Sequence, residues 1–249
     1  MKYFELKCMA FIKQEIEFSK SFETISKYIS YSMAQSELLD SHNTNNFKHY
    51  VFGGFRKQNE PLTKVYQSGE TYEFSIHSLD ETFVDKLSLS LRQNINNSNF
   101  LVLQTLKRVV KKSFITELYS ATPVIVSIEN KKFWTMESSG DIIQLQKQLH
   151  DNLEKKYQSF YGEEIKATQN FIQLLEIKNR VPQTIVMEKN GKKIRFFGNK
   201  FKIVPNEDEI SQKLAFVAMA CGLGEKNSYG GGFLLSHSLS TVNRSVGRG

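Results

Sequence analysis

No apolar run in the 249 residues approaches the roughly 20 needed to cross a bilayer. The opening stretch MKYFELKCMAFIKQEIEF alternates polar with apolar residues instead of building the hydrophobic centre of a secretion signal. A soluble, cytoplasmic protein with no membrane partner is expected. Cysteine is scarce too: only Cys8 and Cys221 are present, each inside an apolar pattern and neither in a C-x-x-C pair, so core packing is expected rather than disulfide or zinc duty. The nucleoside-triphosphate loop G-x-x-x-x-G-K-[ST] is missing, as is a strand-led dinucleotide fingerprint. No Asp/Glu/His cluster stands at ligand spacing, and no metal or cofactor is expected. Acidic residues are the minority, 26 against 33 Lys and Arg, for a formal charge of +7 and a pI near 9.2. That surplus favours a polyanionic partner, although charge alone sets solubility and steering rather than identity.

What the chain does contain is glycine in one place. CGLGEKNSYGGGFLLS, residues 221–236, sets Gly222, Gly224, Gly230, Gly231 and Gly232 around Lys226, Asn227 and Ser228. Glycine serves turns with positive φ, close approach of a ligand to the main chain, or a flexible tail. An apolar helical pattern precedes the stretch and Phe233-Leu234-Leu235 follow it, so the loop is expected to be pinned at both ends. Its amides could form a nest for phosphate, with Lys226 adding a point charge; a purely structural bend is the competing explanation.

The order of elements reads as a duplication. YFELKCMAFI alternates like a strand, and Phe22, Ile25, Ile29 and Met33 follow at helical spacing after serines suited to capping. Strand-like HYVFGGF and TYEFSIHSL come next, then a helix with Phe83, Leu87 and Leu91, then FLVLQTLKRVV. From about residue 113 the order repeats: VIVSI as a strand, a helix with Ile142, Leu145, Leu149 and Leu153, strand FIQLLEI, and a hairpin across Asn190-Gly191. A helix with Ile210, Leu214 and Val217 and the strand GGFLL close the series. Two β-α-β-β-α-β passes predict an α+β protein of tandem ferredoxin-like, RRM-like modules, 1–112 and 113–249.

In that context the run GLGEKNSYGGG, between the last helix and last strand of the second module, resembles the C-terminal glycine-rich loop of the repeat-associated RNA-binding superfamily of CRISPR systems, and specifically of its pre-crRNA endoribonucleases. The family usually carries an aromatic between the final glycines, where this chain has Gly231. A second match lies in YSMAQSELLDSHNTNNFKHYVFGGF. The resemblance implies a catalytic histidine after the first helix, a lysine leading into the aromatic strand and a tyrosine earlier on the helix, here His42, Lys48 and Tyr31. Tyr28 competes for the tyrosine, and Gly53-Gly54 stand where the family shows a serine. It also implies RNA contacts from Gly222, Gly224, Lys226, Asn227, Ser228, Gly230 and Gly232. The chemistry is self-consistent: metal-free cleavage needs a base for the 2′-OH, an acid for the leaving 5′ oxygen and positive charge for the phosphorane.

Other residues compete for these roles. His49, beside Lys48, is the rival to His42, since a shift of strand phase by one residue exchanges which points inward. His77 and His150 fall in strand and helix patterns and read as structural, while His237 follows the glycine loop. The basic run LKRVVKK reads as a solvated strand end. The stretch from Lys178 to Lys202, with Lys189, Lys192, Lys193 and Arg195 at its centre, reads as an outward-projecting basic arm along an RNA stem. The favoured function is a metal-independent endoribonuclease acting on CRISPR repeat RNA. The alternatives are a non-catalytic RNA-binding subunit of a CRISPR complex, and a two-histidine phosphoesterase for which only His42-Asn43-Thr44 fits the required H-x-[ST]. Other CRISPR effector subunits and a second copy of the chain are the further partners considered.

Overall fold

A computed structural model describes residues 1–39, 47–57, 60–61, 63–128, 132–189 and 191–238. Its first half holds strands β1 (Lys2–Ile12), β2 (Ile16–Glu17), β3 (Tyr50–Phe52), β4 (Val65–Tyr66), β5 (Thr71–Ser78) and β6 (Phe100–Lys111), with helices α1 (Phe18–Ala34) and α2 (Glu81–Gln93). The second half holds β7 (Ile115–Ser120), α3 (Ile142–Tyr161), β8 (Ile172–Ile177), β9 (Gln183–Lys189), β10 (Lys192–Gly198), β11 (Phe201–Pro205), α4 (Glu209–Cys221), a single 3₁₀ turn Asn227–Tyr229 and β12 (Leu234–Ser238). Among the described residues no helix is long and apolar enough to cross a membrane.

Each half builds one antiparallel four-stranded sheet. The orders are β3-β5-β1-β6 and β12-β7-β11-β8. Renumbered within each unit, both read 4-1-3-2, so the duplication read from the sequence is present in the topology. In β1, alternation sends Phe4, Leu6, Cys8, Ala10 and Ile12 beneath α1 and α2. Tyr28 of α1 stacks on Phe100, ring centroids 4.2 Å apart, and its phenol donates to the carbonyl of Leu91 at 2.8 Å while accepting from the Val102 amide at 3.2 Å. Aspartates 80, 141 and 208 cap α2, α3 and α4 by accepting from amides three residues on. The serines do not cap α1: Ser19 and Ser21 lie inside it, its N-cap is Glu17, whose side chain makes no capping bond, and Ser21 instead donates to the Phe18 carbonyl.

Two strand expectations are corrected. The first strand of the second sheet is Ile115–Ser120, not VIVSI. Residues 124–128 make only isolated bridges, to Asn199, Glu225 and Phe133. They read as a strand because the segment is extended and buried on both sides: Ile125 enters the first core, Val124 and Val126 the second. The basic stretch is likewise not one projecting arm. Its last part enters β11, an inner strand of the second sheet, and only β9 and β10 form the hairpin, an insertion between β8 and β11. That hairpin lies back on α1, with Ile185, Met187 and Phe196 buried in the first core.

Candidate functional site

Helix α1 carries the two tyrosines considered for catalysis, and they separate cleanly. Tyr28 points inward with its hydroxyl committed to backbone, and burial raises its pKa to about 12. Tyr31, one turn on, is 53% exposed and lines a cleft of about 190 Å³ with Ser32, Gln35, Ser90 and Asn94. His42, with Asn43 and Thr44, lies outside the described residues, as does Asn190. The chain re-enters at Phe47. Lys48 is half-buried, which holds its pKa below the usual lysine range. Tyr31 and Lys48 therefore stand at the two ends of the segment that contains His42. His49 turns towards the second module, its Nε2 3.1 Å from Ser159 Oγ and its ring edge-on to Phe160. Burial, and then the charge of Lys156, lower its pKa.

The remaining histidines hold structure. His150 accepts from the Phe171 amide at 3.0 Å and sits 3.2 Å from Glu154. His237 packs edge-on against Tyr119 in β12. His77 fastens the two halves together: its Nδ1–H donates to the Met219 carbonyl at 2.9 Å, and its ring contacts Tyr3 and Phe233. Its Nε2 lies 3.8 Å from Glu5, whose carboxylate also accepts from Ser75 at 3.2 Å. His77 is the main reason the Glu5 pKa falls to about 2, against the opposing effect of burial. A depressed carboxylate contributes stability that is complete above its unfolded pKa, here 4.5, and lost as pH falls through about 2. Glu5→Gln should therefore be less stable than the parent at neutral pH, with the difference shrinking as pH drops from about 4.5 towards 2. Urea unfolding across that window measures it, and a pH-independent difference would exclude the carboxylate charge as the cause.

The glycine loop is a folded object. Lys156, buried on α3, donates to the carbonyls of Gly222 and Gly224, both at 2.7 Å, and to Asn227 Oδ1 at 2.8 Å. Burial lowers its pKa to about 8. Asn227 completes the knot by donating to the carbonyls of Leu223 and Gly231. Both ends of its side chain are thus bonded within the protein. The missing β-carbons are likewise used by the protein. Gly222, Gly224, Gly230 and Gly232 all have positive φ, and a β-carbon on Gly224 would come within 2.5 Å of the Ile125 carbonyl oxygen, one on Gly230 within 2.5 Å of Phe22. Lys226, itself left-handed at φ 59°, reaches over the Phe196 ring of the hairpin at 5.7 Å. The loop docks on the first module, where Ser26 of α1 donates to the Ser228 carbonyl at 3.0 Å.

Sequence patterning did not single out Lys156, yet a signal was there: it falls three residues after Leu153 on the apolar stripe of α3, where an isolated cation is out of place.

On the hairpin, Lys189, Lys192, Lys193 and Arg195 are exposed, and no carboxylate of the described residues lies within 4.0 Å of any of them. The flanking cations are spent: Lys178 pairs with Glu176 at 2.9 Å, Lys202 with Glu117 at 2.5 Å. Lys107 of the LKRVVKK run pairs with Asp85 at 2.6 Å. Lys189 and Lys192 stand directly opposite each other in the ladder, a like-charge pair that disfavours the hairpin unless an anion screens it.

The sequence profile described as "CRISPR associated protein Cas6, C-terminal" matches residues 103–235. The chain is 28% identical over 239 residues to "CRISPR-associated endoribonuclease Cas6 2" of Methanocaldococcus jannaschii, covering 89% of this chain and 95% of that one. Among solved structures, one described as "CRISPR associated protein Cas6" superimposes with a TM-score of 0.68 at 20% identity, covering 95% of this chain and all of the other. Another, described as "An RAMP protein binding different RNA substrates", gives 0.65 at 15% identity over 94% of this chain and all of that one. With the profile spanning more than half of its length, the chain belongs to the CRISPR-associated Cas6 family.

Proposed function

We propose that this protein is a metal-independent endoribonuclease that cuts CRISPR repeat RNA in the cytoplasm, where its two buried thiols, Cys8 and Cys221, stay reduced. One observation carries the reading: the glycine loop docks through Ser228 on α1, the same helix whose last turns bear Tyr31 and lead to His42. An RNA strand lying across the loop is thereby delivered to the acid–base candidates. In the reaction, the 2′-OH next to the scissile phosphate loses its proton and its oxygen attacks phosphorus. The P–O5′ bond then breaks, and the leaving oxygen takes a proton. The products are a 2′,3′-cyclic phosphate and a 5′-hydroxyl. His42 performs one proton transfer and Tyr31 assists the other, while the Lys48 ammonium stabilises charge on the phosphorane. In this reading the boundary between modules falls near residue 112, the first module supplying chemistry and the second supplying grip. Incubation of the purified protein with repeat RNA in excess EDTA tests it. Cleavage to a cyclic phosphate and a 5′-hydroxyl is expected; binding without cleavage would instead identify a non-catalytic guide-holding subunit.

The hairpin's exposed cations are assigned to positioning the RNA. Replacing Lys192, Lys193 and Arg195 together by Ala should lower the slope of log affinity against log salt by about 0.7 to 0.9 for each phosphate that the hairpin no longer neutralises. Cleavage should still saturate at high protein concentration. An unchanged slope would place the RNA path elsewhere, with LKRVVKK next to be tested.

A further inference from the structure

Alternation gives the hairpin two unlike faces. Ile185 and Met187 of β9 and Phe196 of β10 enter the first core, so Thr184, Val186 and Glu188 on one strand and Lys193, Arg195 and Phe197 on the other share the opposite face. Lys193 and Arg195 are exposed, with no carboxylate of the described residues within 4.0 Å. In line with them stands Phe197, 39% exposed. Glu188 is the one acidic residue of the six, and the register sets it opposite Lys193. Arg195 and Phe197 face only Val186 and Thr184 across the ladder.

Phe197 is also tied to the glycine loop. Its ring centroid lies 6.5 Å from that of Phe133, Phe133 lies 5.8 Å from Phe196, and Phe196 stacks on Tyr229 of the loop at 5.6 Å and 16°. Lys226 of the loop reaches over the same Phe196 ring. Every link is a ring contact, so the loop and this part of the hairpin keep a fixed relation to each other. A lone exposed phenylalanine is ordinary on a protein surface. One in line with two unpaired cations, and joined to a loop assigned to RNA, has the composition of a single-strand platform, in which cations follow phosphates while an aromatic face takes a base. Bases inside a duplex are already stacked on one another and offer no such face.

We propose that Phe197 stacks one unpaired base of the RNA strand that crosses the glycine loop, with Arg195 and Lys193 meeting phosphates of that strand. The proposal rests on the RNA-binding reading given above. It makes the hairpin select single-stranded over paired RNA, which cations alone do not do.

The test uses the whole chain, fluorescein-labelled rU₁₀ and a labelled RNA duplex of the same length, with affinities measured by anisotropy over a series of salt concentrations. Phe197→Leu keeps apolar bulk without an aromatic face. It should weaken rU₁₀ binding about tenfold, change duplex binding by less than about twofold, and leave the salt slope for rU₁₀ as in the parent, since no phosphate contact is lost. Phe197→Trp should bind rU₁₀ at least as tightly as the parent. Its new indole should be quenched as unlabelled rU₁₀ is added, whereas the parent's single tryptophan, the buried Trp134, should not respond. That signal reports on position 197 even if the leucine variant folds poorly. Unchanged rU₁₀ affinity in Phe197→Leu, equal losses for rU₁₀ and duplex, or an indole at 197 that RNA does not quench overturns the proposal. So does a parent that binds repeat RNA but not rU₁₀. A parent that binds neither overturns the RNA-binding reading itself, and this proposal with it.

Discussion

Gly232→Ala is expected to be the most destabilising single change in the glycine loop. Its φ is +71°, and a β-carbon there would overlap the carbonyl oxygen of Leu223, a backbone atom that cannot rotate away. The left-handed conformation alone costs an ordinary residue about 1–2 kcal/mol. Relieving the overlap must also break the bond by which the Leu223 amide reaches the Gly232 carbonyl at 3.0 Å, beside the Gly232 amide on Pro123. A total of about 3 kcal/mol or more follows, a fall in Tm of about 6–12 °C for a chain of this size. Gly191→Ala at the hairpin turn is the control: it has the same φ of +71° but open space around its missing β-carbon, and should cost about 1 kcal/mol. Loss of RNA affinity by Gly232→Ala with an unchanged Tm would show instead that the space serves the RNA.

The largest effect on rate is expected from His42→Ala. Removing a general acid or base typically costs 10²–10⁴-fold. Single-turnover cleavage should slow at least about 10²-fold, with RNA affinity changed by less than about twofold, since the function proposed above assigns the grip to the loop and the hairpin. His49→Ala is the comparison. Its ring bears on Ser159 and Phe160, so it should shift stability more than chemistry. The reverse result, near-normal cleavage by His42→Ala and loss by His49→Ala, moves the assignment to His49.

Where the sequence was legible, one regular pattern met one surface. The alternation of β1 from Phe4 to Ile12 and the stripe Phe22, Ile25, Ile29, Met33 of α1 each feed the first core from one face, and so reveal both element and orientation. Reading failed where a segment serves two surfaces. Residues 124–126 feed both cores and look like a strand without being one. Strand β11 alternates Phe201, Ile203 and Pro205 inward, but Lys200 and Lys202 joined it to a run of cations that read as an arm. The glycine loop was legible as a motif because its spacing is local. Its internal use was not, since the partners that shape it, Lys156, Ile125 and Phe22, are 66 or more positions away from the loop.

The sharing of cores also sets the order in which the chain can become stable during synthesis. The first half emerges without Ile125, Ile185, Met187 and Phe196, which complete its core, and without the loop that covers Phe22. Until residues near 230 leave the ribosome, α1 presents an apolar flank to solvent, the condition in which nascent chains are prone to associate. The last turn of loop to be made is therefore the latch for the first helix, and growing chains arrested between about 112 and 230 should be the ones that need a chaperone.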